Sequence, residues 1–324
     1  MKYPFYYQND LQWANYWQDD NPNDHSFVEI FTDKFRFILY VYPWYFGKNL
    51  GYIGRFGEIL DSNYSQDDIT LALNKASEIA KNKNCVFLKI DFDENFNYDF
   101  HNFKTNKNTK ALQYKSTSTL DLSKIQDVSL DGDFYANSKE FWKTCNNNVQ
   151  RYTKKTNINW IVSKDKTQDN FEKFWQVYKN TSDRQNFATH KKYHYENLYK
   201  LDFCKIIVVS DEQNEPQAVW FGITTKDTLT YLYGGNSDFA LANCGQYKIQ
   251  LEAVKTAVSN KLKFYDLGGY EIGKGYAKFK ENYKGNIRVF SDPVDIILDS
   301  FWYNLINFAI KIRKFAKKIS KKIK

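Results

Sequence analysis

Two segments far apart in the chain share one arrangement, and this arrangement constrains the fold more than any other feature. Residues 68–90 run from a helical pattern through a lysine-rich turn into VFLKI, with DFD following. Residues 247–268 repeat the order, ending in KFYDLG, with a second glycine following. A helix feeding a strand that ends in an acidic residue is a building unit of α/β and α+β domains. Its recurrence predicts two similar domains with mixed sheets. The other apolar runs read as strands at Arg36–Tyr42, Cys204–Val209, Ala218–Thr224 and Thr228–Tyr233, with helical spacing over Asp67–Lys81, Phe171–Thr181 and Tyr247–Asn260.

The 324 residues suit two domains of about 150 residues each. The strand-like STSTLDLS ends before Phe141–Asn148, where a charged helix begins, so the expected division is 1–145, 146–300 and a basic closing helix 301–324 that packs on the N-terminal domain. With 42% apolar and 18% aromatic residues the chain can fill real cores. Cys85, Cys145, Cys204 and Cys244 show no metal-binding spacing, and no run nears the about 20 apolar residues of a membrane span. No leader pattern opens the chain. A cytoplasmic, monomeric protein is expected.

The net charge of +8 is local. Residues 301–324 hold eight lysines and arginines and no acid, so the remaining 38 basic and 38 acidic residues cancel. Common catalytic signatures are missing. His190 and His194 stand in HKKYH without the glutamate of a zinc-protease helix, and there is no GxSxG, Walker or dinucleotide loop. Acetyl-CoA-dependent GNAT enzymes bind pyrophosphate on a glycine-rich turn at a helix N-terminus. The matching place, NSDFALANCGQYK, has one glycine, Gly245, which argues against ordinary acetyl-CoA use.

A set of motifs in register then points to one family. NVQRYTKKTNI (148–158), YKNTSDRQNF (Tyr178–Phe187), LTYLYGGNS (Leu229–Ser237) and FYDLGGYEIGKGYAKFKENYKGN (Phe264–Asn286) resemble motifs of the Fem peptidoglycan-bridge aminoacyltransferases. In the first half QNDLQWANYW (Gln8–Trp17), NLGYIGRFGEIL (Asn49–Leu60) and LQYKSTSTLDLS (Leu112–Ser123) are similar to that family's opening segments. Gln150, Gly54, Phe56 and the YKG turn depart from its usual residues. The resemblance implies two GNAT-like domains without a coiled-coil arm, and transfer of an amino acid from aminoacyl-tRNA to an amine on the stem peptide of a peptidoglycan precursor. It implies no cofactor besides the aminoacyl-tRNA co-substrate, and no metal.

Aminolysis of an activated ester needs alignment of the reactants and a donor for the oxyanion. Lys280, beside Phe279, is the expected oxyanion donor, with Tyr231 as its catalytic neighbour. Arg184 is expected to grip the anionic precursor. Tyr233 should share a strand face with Tyr231 by period-two alternation, so both or neither would line the site. Gly268 and Gly269 allow close substrate approach after Asp266, a turn residue, and Arg55 completes the substrate-binding set. No residue stands out as a general base, and the resemblance allows the substrate to carry its own proton.

In the tail, Leu305, Phe308, Ile312, Phe315, Ile319 and Ile323 form one apolar stripe, expected to be packed as far as about Phe315. Lys317, Lys318, Lys321 and Lys322 would then meet the tRNA phosphates, an anionic membrane surface on its inner face, or only solvent. Two other functions compete with the aminoacyltransferase: an acyltransferase using acyl-CoA or another carrier on a sugar, lipid or peptide amine, and a non-catalytic nucleic-acid- or membrane-binding module.

Overall fold

The computed structural model describes residues 5–93, 98–155 and 159–320, with side chains up to Arg313 in the last helix. Its early strands are β1 (Ser26–Phe31), β2 (Phe35–Pro43), β3 (Asn49–Ile53), β4 (Glu58–Ile59), β5 (Cys85–Phe92) and β6 (Thr105–Asn106). Then come β7 (Ser116–Asp121), β8 (Ile161–Ser163), β9 (Cys204–Ser210), β10 (Pro216–Thr225), β11 (Thr228–Asn236), β12 (Phe264–Gly269), β13 (Asn286–Val289) and β14 (Ser291–Ile297). They form two seven-stranded mixed sheets.

The first sheet has the order β1-β2-β3-β5-β14-β6, with β4 on β2. Its compact unit takes Leu11–Gln113 and returns at Phe290 to take the rest of the chain. Strand β5 is buried along its whole length, and its two charged residues, Lys89 and Asp91, are hydrogen-bonded to Asp295 and Tyr52. The preceding helix, Gln66–Asn82, opens with a capping box in which the Ser65 backbone N–H donates to Asp68 at 2.8 Å. Its buried face of Ile69, Ala72, Leu73, Ala76 and Ala80 has the spacing read from the sequence. Lys89 on β5 meets Asp295 on β14 at 2.6 Å, and the Tyr303 hydroxyl donates to the other Asp295 oxygen at 2.8 Å. That chain of bonds ties the closing helix, Ser300–Ser320, to the sheet.

The second sheet has the order β13-β7-β12-β11-β10-β9-β8. Its unit holds the residues up to Asp10 and Tyr114–Val289. Both sheets contain one parallel pair, β3 with β5 and β11 with β12, and in each the second strand follows the repeated helix. The duplicated unit therefore builds the same element twice.

Two expectations are corrected here. The divisions at 145 and 300 cut through both units. β7 pairs with β12 and β13, and Phe134, Phe141, Trp142 and Cys145 are buried in the core of the second sheet, so residues from Tyr114 belong there. At the other end β14 and the closing helix belong to the first sheet, as the packing of Tyr303 and Ile306 against Tyr40, Tyr52 and Phe87 requires.

The apolar stripe of the tail is also on the other side from the one expected. Tyr303, Ile306 and Ile310 face the sheet, whereas Leu305, Phe308 and Ile312 are exposed. The packed face is set by Tyr303 reaching Asp295, which turns Leu305, Phe308 and Ile312 outward. The side chains of Phe315 and Ile319, and all of Ile323, lie outside the described residues.

Candidate functional site

The candidate site forms where β11 and β12 part. Their parallel ladder pairs Thr228 with Phe264, Leu229 with Tyr265 and Thr230 with Asp266, and goes no further, although both strands continue. Two neighbours that stop pairing leave a gap and backbone groups that no partner strand covers. On the β11 side a bulge opens the gap: Phe221 pairs with Tyr233 and Gly222 with Tyr231, leaving Leu232 over. The extra residue reverses the alternation. Tyr231 stacks on Trp220 at 5.8 Å, whereas Tyr233 turns to the opposite face, against Tyr195 at 4.9 Å and Tyr178 at 5.9 Å. The two tyrosines do not share a strand face, yet both border the opening, a depression of about 300 Å³.

On the β12 side Asp266 is buried, and its carboxylate accepts from the Thr117 hydroxyl and, at 2.7 Å, from the Gly268 backbone N–H. This closes the turn that Gly268 makes at φ +76°, where a Cβ would stand 2.6 Å from the Tyr231 carbonyl. Only glycine fits there without strain. Asp266 thus holds the turn, the role expected of it.

Lys280 and Phe279 stand on a short helix, Gly275–Glu281. Phe279 packs edge-on against Tyr247 and Tyr283, each at 5.3 Å, and so fixes the helix to the core. The Lys280 ammonium then donates to the Gly269 carbonyl at 2.7 Å and sits 5.3 Å from the Tyr276 ring centre. Burial pulls its pKa down to about 8, against the opposing pull of the Asp266 charge. Burial likewise pushes the Tyr231 phenol far up, so it remains a neutral donor at physiological pH.

A second pocket of about 470 Å³ adjoins the depression, sharing Tyr231, Gly234, Tyr276 and Lys280 with it. The side-chain oxygens of Asn236 and Gln246 in its wall are buried and have no partner among the described residues. Buried acceptors without donors cost about 1–3 kcal/mol each until a ligand supplies one. Sequence reading missed these two residues. Polarity alone does not separate a buried Asn or Gln from a solvated one. The arrangement sets an ammonium and a phenol beside acceptors for an amine or hydroxyl. This can orient a polar acyl donor and stabilise negative charge that develops near Lys280. A separate cavity of about 420 Å³, lined by Lys124, Glu140 and Lys284, shares none of these groups.

Of the other expected site residues, Arg184 and Arg55 line neither of the two adjoining pockets. Arg184 donates to the Asp238 carboxylate at 2.6 Å and the Asn236 carbonyl at 2.7 Å, pinning the end of β11 to the start of the helix Asp238–Ala242. Arg55 belongs to the first unit, where it is buried at φ +51° with its guanidinium 3.4 Å from the Phe290 ring centre. The side chains of Lys317 and Lys318, and all of Lys321 and Lys322, fall outside the described residues. The place of a pyrophosphate loop is taken by the helix Asp238–Ala242. There Gly245 serves close packing, since a Cβ on it would lie 2.9 Å from the Ala240 methyl.

Residues 200–311 match the FemAB family. No curated protein matches the chain. Among solved structures the chain is similar to FemX, at 16% identity and a TM-score of 0.72, with 91% of this chain and 93% of that one covered. It is also similar to L-PGS from Bacillus licheniformis, at 11% identity, 94% and 97% coverage and a TM-score of 0.51. A tandem GNAT protein from the clavulanic acid biosynthesis pathway aligns at 5% identity, 85% and 84% coverage and a TM-score of 0.50. The structural likeness shows the fold of FemX and of the tandem GNAT protein, two GNAT-like domains, and the FemAB match over residues 200–311 agrees with it.

Proposed function

We propose that this chain is a peptidoglycan-bridge aminoacyltransferase, moving an amino acid from aminoacyl-tRNA to an amine of a peptidoglycan precursor's stem peptide. The observation that carries this reading is Lys280, a half-buried ammonium bonded to Gly269 at the parting of two parallel strands, between two pockets. Its position in a Fem-like motif on the segment that matches FemAB supports the family's chemistry. With one N–H on Gly269, two remain for an acyl oxygen as it becomes an oxyanion, a contribution on the order of 3–4 kcal/mol to the transition state. The pockets hold the ester and the amine in reach of one another, which supplies roughly 7–11 kcal/mol. Tyr231 orients the acyl donor, and Gly268 and Gly269 let it approach the backbone. The charges of Lys317, Lys318, Lys321 and Lys322 would serve contact with tRNA or with the inner membrane face, and the protein works as a cytoplasmic monomer.

The runner-up, an acyl-CoA-dependent acyltransferase, is disfavoured by the helix standing where a pyrophosphate loop would be. The deciding experiment mixes the purified protein with a set of labelled aminoacyl-tRNAs and UDP-linked muramyl pentapeptide and follows the label into the peptide. Transfer from at least one aminoacyl-tRNA is expected. Transfer from an acyl-CoA, and from no aminoacyl-tRNA, would replace the proposal with the runner-up.

A further inference from the structure

The closing helix presents two apolar faces, and the protein covers one of them. Tyr303, Ile306 and Ile310 are packed on the first sheet. On the opposite side Phe301, Leu305, Phe308 and Ile312 follow one another at four, three and four residues, which is a single helical stripe. Phe301, Phe308 and Ile312 are 68%, 62% and 53% exposed. The sequence extends this stripe through Phe315, Ile319 and Ile323, whereas the continuation of the packed face is Lys314, Lys317 and Lys321. Among the described side chains, the stripe left in solvent is the one that this apolar pattern continues in the sequence.

The stripe does not stand alone. The β2–β3 connection carries Tyr45 and Phe46 at its tip, with Phe46 63% exposed and held at φ +58°. That backbone region is disfavoured for a bulky side chain. Phe46 lies 6.2 Å from Trp302, which lies 5.6 Å from Phe301, so the loop tip and the helix make one continuous aromatic surface. Cations rim it. Lys48 stands 5.1 Å over Trp302, Lys104 donates to the Ser300 hydroxyl at 2.8 Å, and Lys311 and Arg313 are exposed beyond.

We propose that this surface, formed by the Tyr45–Phe46 loop tip and the outer stripe of the closing helix, docks the protein on an anionic lipid bilayer. Tryptophan, tyrosine and phenylalanine at the water–lipid boundary with lysine and arginine beside them is the composition of an interfacial helix. An anionic headgroup layer satisfies both halves of the surface at once. Nucleic-acid phosphates would engage the cations and leave four large apolar side chains in water. A second copy would cover the stripe but bring together two segments that each carry eight positive charges and no acid. The docking does not depend on the transfer chemistry.

The test uses the full-length protein with vesicles of phosphatidylcholine alone or mixed with phosphatidylglycerol, followed by co-sedimentation. Binding to the mixed vesicles, weakened by salt, is expected. The double substitution Phe46→Ser, Phe308→Ser should weaken it by about tenfold or more while leaving the melting temperature unchanged, since both side chains are exposed. Four outcomes overturn the proposal. The first is no binding to the mixed vesicles at low salt. The second is binding that the double variant retains in full. The third is a wild-type dimer in sedimentation velocity that the double variant loses, with no vesicle binding. Binding of a structured RNA in place of vesicles, abolished by lysine-to-glutamine changes at 317, 318, 321 and 322, also overturns it and assigns the surface to nucleic acid.

Discussion

Replacing Lys280 with methionine should separate stability from function, because the site holds its charge at a cost. The pKa falls from 10.5 to about 8 on burial, which at about 1.4 kcal/mol per pH unit opposes the charged form by about 3 kcal/mol. Lys280→Met removes that opposition and keeps most of the packing volume. It also removes the bond to Gly269, about 1 kcal/mol, and the contact with Tyr276, about 0.5–1 kcal/mol. The variant should therefore be about as stable as the parent or up to about 2 kcal/mol more stable at pH 7. The sign with pH follows from the lowered pKa. The parent's penalty is full below pH 8 and vanishes as pH approaches 10.5, so the variant's advantage in denaturant melts should shrink over that interval. Transfer of labelled amino acid should meanwhile fall by a factor on the order of 10²–10³ in kcat. If the methionine variant retained transfer within threefold, Lys280 would not be the oxyanion donor. If it unfolded, the charge would be structural and the burial argument wrong.

Gly268→Ala should cost about 2–4 kcal/mol in chemical denaturation and abolish transfer, because the turn needs φ +76° and the new methyl would meet the Tyr231 carbonyl. Tyr303→Phe leaves Asp295 with one bond fewer beside Lys89 and should cost about 1–3 kcal/mol, read as a lower melting temperature without change in transfer at 25 °C. Arg184→Ala breaks a half-exposed pair, so stability should change by less than about 1 kcal/mol. Transfer should fall less than threefold, because the guanidinium is committed to Asp238 and Asn236; a hundredfold loss would restore it as a substrate anchor. In the parent, transfer should decline as pH rises through about 8, the point at which Lys280 loses the proton it donates.

Local pattern carried much of the architecture. The apolar runs at Arg36–Tyr42, Val86–Ile90 and Cys204–Val209 lie inside β2, β5 and β9, and the periodic segments at Asp67–Lys81 and Tyr247–Asn260 lie on helices, the second ending at Ser259 with Asn260 as its cap. Burial selects these residues one segment at a time, so period and composition suffice. The repeated helix and strand foretold two similar sheets because both copies obey the same local rules. Lys280 was separable from its neighbouring lysines only by its place in a family motif.

What depended on contacts between distant segments was not legible. One surplus residue, Leu232, puts Tyr231 and Tyr233 on opposite faces, and a bulge arises from pairing with β10, which period-two counting along β11 cannot register. Which of two apolar faces of the closing helix packs inward was decided by Tyr303 finding Asp295, eight residues earlier in the chain but on a different element. The pKa of Lys280 likewise exists only once Gly269, Tyr276 and the surrounding core have closed over it. Amino-acid order determined which segments could be strands and helices, because each must bury its own apolar side. Register, facing and charge state were left to the tertiary structure, because each is a property of two segments meeting.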